Sequence, residues 1–297
     1  MPLSLQILQA LINGLLTGGV YALIAVGLTM IFGVMRIINF AQGDFLMVGM
    51  YVTWLLFRAV GVTVPYWLIP IVAAVMFGLG ALVFRTTIIK VVGKGDSNYI
   101  LLTLGISYLL QYGVQMILSP NFQSLPVTNE FRQSAIRFGS GLTIMGPQFI
   151  AFLVALLLVI GMSYFLGNTD MGRAMRATSE DRTVASMLGV NTKVIYTVAF
   201  SLGTVFAGIS GLLLSPIYSI HPRAGVLFST VAMAVVVLGG LGNIKGAMIG
   251  GLLIGLVQSF FGTFVNMDIA QIAVDSVLIA MLMFRPYGLF GGGARKA

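Results

Sequence analysis

Cysteine is absent from the 297 residues, which excludes disulfides, thiolate metal sites and a thiol nucleophile. Charge is nearly as scarce, at 8% of residues against about 25% in an ordinary soluble domain. There is a single histidine, His221, and one imidazole with no second ligand is not a metal site. The best approach to a nucleotide-binding loop is Val92-Gly93-Lys94-Gly95-Asp96-Ser97, which lacks the spacing of Gly-x4-Gly-Lys-Ser/Thr. No cluster of His, Asp and Glu and no Ser/Lys pair stands in a spacing suited to a membrane-embedded hydrolase. No catalytic residue is therefore assigned.

What the chain has in quantity is apolar side chains, 58% of residues, and 37 glycines. Such a composition belongs in a lipid bilayer, where small residues let helix backbones approach closely. The expectation is an all-α polytopic bundle, a single transmembrane domain over 1–297 with about 8–9 spans. A bilayer core takes about 20 apolar residues per helix, and suitable runs lie at 7–33, 38–60, 65–84, 98–118, 147–166, 195–217, 224–240, 244–265 and 268–284. The first run is too long for a straight span and is either tilted or broken at its glycines. Because Met1-Pro2-Leu3-Ser4 has no basic region, the start reads as a first span and not as a cleaved signal.

The net charge of +8 is spread too thinly for a nucleic-acid surface, so no nucleic acid is expected as a partner. It serves better as topology information. Arg36, Arg85, Lys90, Lys94, Arg173, Arg176, Arg182, Lys193, Lys245, Arg285, Arg295 and Lys296 fall on one side, and Arg58, Arg132, Arg137 and Arg223 on the other. The richer side is cytoplasmic, and nine spans then put the N-terminus outside. The stretch 119–146, with Pro120, Pro126 and Asn129-Glu130-Phe131-Arg132, becomes the main external loop. Gly242, Gly246 and Gly250, with Gly251 and Gly255 offset, recur every four residues, as do Gly203, Ala207 and Gly211. These are helix contact faces.

The stretch 167–193 is the most polar on the cytoplasmic side, holding Asp170, Arg173, Arg176, Glu180, Asp181, Arg182 and Lys193. Ser179 suits an N-cap, Glu180 and Asp181 the first helical turn, and Gly189 a left-handed stop. The reading is a helix of about nine residues with Val184, Met187 and Leu188 on one small apolar face. It either rests at the lipid headgroups or fits a protein socket. Charges of both signs favour the socket.

Several polar groups fall inside apolar runs. Asn39, Gln42 and Asp44 stand at the start of the second span, read here as its cytoplasmic end. Asp44 either caps that helix or belongs to an inner gate. Thr103, Ser107 and Gln111 share one face of the fourth span, continued by Gln115, and either line a path or bond neighbouring helices. Asp275, with Gln271 four residues earlier, marks a path or a subunit interface, unless Arg36 or Arg58 pairs with it. His221 and Arg223 lie on a short external turn.

Four stretches carry a resemblance. Asn13-Gly14, and Tyr21-Ala22-Leu23-Ile24-Ala25-Val26-Gly27 on through Asn39-Phe40-Ala41-Gln42-Gly43-Asp44, resemble the N-terminal signature of the branched-chain amino acid permeases of ATP-binding-cassette importers. So do Gly239-Gly240-Leu241-Gly242-Asn243-Ile244-Lys245-Gly246-Ala247 and Arg285-Pro286-Tyr287-Gly288-Leu289-Phe290-Gly291. Gly172-Arg173-Ala174-Met175-Arg176-Ala177, followed by Ala185 and Gly189, is similar to the segment that couples such permeases to their motor. The family often has histidine and glutamate where this chain has Gln42 and Asp44. The resemblance implies the importer permease fold, in a multi-pass protein of a bacterial or archaeal cytoplasmic membrane. It implies as partners a second homologous permease, two ATP-binding subunits, an external or periplasmic substrate-binding protein and membrane lipid. This chain would hold no cofactor, ATP and Mg lying on the partner subunits. Arg173, Arg176, Glu180, Asp181, Arg182, Ala185 and Gly189 would couple to the ATPases. Asn39, Gln42, Asp44, Thr103, Ser107, Gln111 and Asp275 would border the path or gate, and His221 and Arg223 would touch the binding protein. The competing class is a cation-coupled secondary transporter of small polar solutes using Asp44 and Asp275.

Overall fold

A computed structural model of the chain describes residues 2–61, 64–125, 134–138 and 142–291. Pro126, Asn129, Glu130, Phe131, Arg132, Arg295 and Lys296 lie outside the described residues. Helix α1 (Leu3–Met35) is followed by α2 (Gln42–Val60), a 3-10 turn at Pro65–Leu68, α3 (Ile69–Thr86), a second 3-10 turn at Ile88–Lys90, and α4 (Asp96–Leu118). Strands β1 (Ala135–Phe138) and β2 (Leu142–Met145) pair antiparallel, Ala135 opposite Met145. Then come α5 (Gly146–Asn168), α6 (Asp170–Glu180), α7 (Arg182–Met187), α8 (Thr192–Leu214), α9 (Ala224–Gly239), α10 (Ile244–Phe264) and α11 (Met267–Phe284). Among the described residues eight helical segments are long and apolar enough to cross a membrane, and α9, at 16 residues, is a shorter ninth. The small hairpin inside 119–146 breaks the all-helical expectation only locally.

The first run is a single unbroken helix: α1 has 33 residues, about 50 Å at 1.5 Å per residue, longer than a bilayer core of about 30 Å. Helices α1 and α8 form the centre of the bundle, and the small-residue ridges are what bring their neighbours in. A Cβ on Gly18 would stand 2.8 Å from the Gly251 carbonyl oxygen, so α10 lies backbone to backbone against α1. The other face of α10 meets α9, where a Cβ on Gly250 would stand 2.7 Å from the Val235 carbonyl. Gly211 of α8 abuts Met50 of α2 in the same way. These ridges are filled within the chain.

The contacts also collect the basic helix ends. Gly33 lies beside Gly242, Gly240 beside Gly291, and the Asn243 amide donates to the Phe290 carbonyl at 2.9 Å. The Leu289 N–H donates to the Leu238 carbonyl at 2.8 Å. The two motifs near residues 240 and 288 thus clasp each other. They bring together the helix ends that carry Arg36, Lys245 and Arg285.

Candidate functional site

The stretch 167–193 differs from its sequence reading in where its helix begins. Thr169 caps α6, its hydroxyl accepting from the Gly172 N–H at 3.0 Å. Ser179 lies inside that helix, its hydroxyl donating to the Arg176 carbonyl at 2.7 Å. The cap of the next helix is Asp181, whose carboxylate accepts from Thr183 N at 2.7 Å and Val184 N at 3.0 Å. Ser179 and Asp181 are both N-cap types. Asp181 prevails because α6 runs on to Glu180 and buries Gly172, Met175 and Thr178. The single nine-residue helix is therefore two helices, α6 and the short α7.

Gly189 takes φ +85° with open space around it, and Asn191 accepts from Val194 N at 3.3 Å to start α8. Helix α7 is thus fixed at both ends. Ala185 faces inward, while Met187 and Leu188 are 80% and 78% exposed. Arg182 stacks over Tyr196 with its guanidinium carbon 5.5 Å from the ring centre, and Arg173 pairs with Asp170. Arg176 reaches toward the Gly167 carbonyl. Beside this segment a recess of about 690 Å³ is lined by Arg36, Ser179, Glu180, Gly242 and Tyr287.

The polar group on α2 is not at the cytoplasmic mouth. Arg36 takes a left-handed φ of 54° and ends α1, and residues 37–41 fold back into the bundle before α2 begins. The Gln42 amide donates to the Gly203 carbonyl at 3.1 Å and lies against Gly27, eight residues, or about 12 Å, inside the end of α1. Asn39 donates to Gln42 Oε1 at 3.2 Å and its own Oδ1 accepts from Ala41 N. Asp44 is deeper still and 1% exposed. Its Oδ1 accepts from Gln111 Nε2 at 2.9 Å, and Gln111 also reaches Ser107 Oγ at 3.1 Å. Gln111 is fifteen residues into α4, about 22 Å from its start.

The structure therefore brings Asp44, Ser107 and Gln111 together and sets Asn39 and Gln42 beside them. Thr103 is buried but bonds back to the Tyr99 carbonyl at 2.9 Å, and Gln115 is exposed. Two residues of this group escaped the sequence reading, Gly225 and Ser229 of α9. The Ser229 hydroxyl accepts from Gly43 N at 2.9 Å and donates to the Phe40 carbonyl at 3.2 Å. A lone serine in an apolar run gives no outward sign of such a role. A second polar cavity, about 360 Å³, lies between α1, α5 and α10 and is lined by Asn13, Thr17, Gln148, Gln258 and Ser259.

Asp275 stands apart on α11, half-buried, accepting from Gln271 Nε2 at 3.1 Å. Neither arginine considered for it is its partner, since Arg58 stacks on Trp54 at 4.9 Å and Arg36 lies at the recess beside α6. Asp44 and Asp275 have no cationic partner among the described residues.

The family described as the permease component of the branched-chain amino acid transport system matches residues 10–285. The chain belongs to this family. It is 32% identical to the high-affinity branched-chain amino acid transport system permease protein BraD of Pseudomonas aeruginosa, over 98% of each chain. With the permease LivH of the same kind of system in Escherichia coli it shares 31% identity over 97% of this chain and 96% of LivH. It is also 24% identical to the Escherichia coli permease LivM, over 91% of this chain and 67% of LivM. Membership in this permease family makes the chain a transporter component and not a catalyst, and places it in the cytoplasmic membrane as a multi-pass protein.

On the turn before α9, His221 packs against Phe122 with ring centres 4.8 Å apart, and Arg223 is exposed. Gln123 and Ile220 exchange backbone hydrogen bonds at 2.8 Å, tying the turn to the end of α4. Burial holds the His221 pKa below the ordinary histidine value. Protonation therefore opposes the native turn: its stability is whole above about pH 6.5 and falls as the pH drops below that value. Thermal unfolding in detergent at about pH 7.5 and about pH 5.5 checks this. The wild type is expected to lose more on acidification than His221→Phe, and equal losses would count against it.

Proposed function

We propose that this permease forms one half of the translocation path of an ATP-driven importer for branched-chain, aliphatic neutral amino acids. A second homologous permease completes the path, and two ATP-binding subunits, carrying ATP and Mg, drive it from the cytoplasm. An external binding protein delivers the cargo to the side of His221 and Arg223. The observation that carries this reading is α7: a short helix capped at both ends, with Met187 and Leu188 turned outward. Apolar side chains presented on so small a rigid helix suit a socket on a partner. Arg173, Arg176, Glu180, Asp181, Arg182, Ala185 and Gly189 hold or flank that helix and serve coupling. Similarity to LivM, a permease named for the same kind of system as LivH, supports a second permease as partner.

The test is leucine uptake into proteoliposomes holding the permease pair, the ATPases and the binding protein. Uptake is expected to require ATP on the cytoplasmic side and to survive collapse of proton and sodium gradients. Gradient-driven uptake without the ATPases would instead establish the cation-coupled class, with Asp44 and Asp275 as its ion sites.

A further inference from the structure

Asp44 is a carboxylate within the apolar span of its chain, and no lysine, arginine or histidine neutralises it among the described residues. Intramembrane acids of this kind are costly and serve a path or a partner. What compensates it here is neutral. Gln111 and Ser107 come from α4, and the first turns of α2 and α9 add the positive ends of their helix dipoles. Gly225, in the first turn of α9, lies against the carboxylate, where a Cβ would stand 2.5 Å from Asp44 Oδ1.

The donors come from the most loosely attached side of the group. Helix α4 packs chiefly against α2, and Leu101, Leu109, Met116 and Ile117 on its outer side are exposed. Gly105 and Gly113 of α4 face open space. A modest shift of α4 withdraws Gln111 and leaves the carboxylate short of a donor, while α2 and α9 stay locked by the bonds of Ser229 to Gly43 and Phe40. A cation must then arrive with the cargo, because the described residues supply none.

We propose that Asp44 receives the ammonium group of the amino acid during translocation, and that Gln111 Nε2 occupies the place of that ammonium in the closed arrangement. This rests on the importer reading above and deepens it by giving the cargo's charged amine a named receptor in the membrane. A charged donor displaces a neutral amide because charge-assisted hydrogen bonds are about twice as strong. Release follows when Gln111 returns. The site would discriminate amino acids from uncharged solutes of the same size, a selection separate from that of the binding protein.

The experiment uses the complete complex in proteoliposomes and records leucine uptake and ATP hydrolysis on the same vesicles. Asp44→Asn is expected to lower leucine carried per ATP by roughly twentyfold or more, and Asp44→Glu to restore most of it. Gln111→Ala removes the competing donor and is expected to raise the uptake rate by about twofold. Asp44→Asn carrying leucine per ATP within about twofold of wild type overturns the proposal. Equal losses in Asp44→Glu, Asp44→Asn and Gln111→Ala overturn it too, since they mark a purely structural cluster. Wild-type uptake that stops in sodium-free buffer makes the occupant an inorganic cation and also overturns it. Failure of the importer reading is seen separately, as wild-type uptake indifferent to ATP.

Discussion

With Met187 and Leu188 both replaced by aspartate, the permease is expected to fold and insert normally but to lose more than about nine-tenths of its ATP-driven uptake. Both side chains stand largely in the open at the end of α7, so the native chain loses little internal contact. The partner loses two apolar anchors, each worth about 1.5–3 kcal/mol when buried. A combined loss of about 3–6 kcal/mol weakens ATPase binding by a hundredfold or more. Co-purification of the ATPase subunits, read beside the yield of the permease itself, checks both halves of the expectation. Undiminished co-purification and uptake would show that α7 is not the docking element.

The second large effect is at Gly43. A Cβ there would meet the backbone N of Ser229 at 2.5 Å and its hydroxyl at 2.6 Å. The obstruction is partly backbone, so no change of rotamer relieves it. Overpacking of this kind costs about 1–3 kcal/mol or more, and here it also breaks the bond from Gly43 N to Ser229 Oγ. Gly43→Ala is expected to lower both the melting temperature and the yield of folded protein, as followed by size exclusion of a fluorescent fusion after heating. Gly78→Ala and Gly161→Ala are the controls, because neither added Cβ meets an atom within 4 Å. A Gly43→Ala protein as stable as these two would mean that α2 and α9 are not held together at that point.

The spans were legible in the sequence because hydropathy is written residue by residue. The depth of Asp44 was not. It depends on the chain folding back after Arg36, and that turn is made by an arginine in a left-handed conformation, where no glycine announces it. The start of α7 was ambiguous for a different reason, since Ser179 and Asp181, two residues apart, could each cap a helix. Only the burial of Met175 and Thr178 against the bundle shows that α6 continues past the first of them. Ser107 and Gln111 were visible as one helical face, but their convergence on Asp44 joins residues more than sixty apart in the chain. The partner of Asp275 lay four residues away on its own helix.

The seam between α1 and α10 has a consequence for biogenesis. Gly18 leaves the ribosome with α1, and Gly251, against which it packs, follows more than two hundred residues later. At roughly 5–20 residues per second of synthesis, the glycine face of α1 waits on the order of 10–50 s for its permanent neighbour. A nascent chain halted before α10 thus exposes its narrowest, most adhesive helix surface within the bilayer, where membrane insertases and quality-control proteases would meet it.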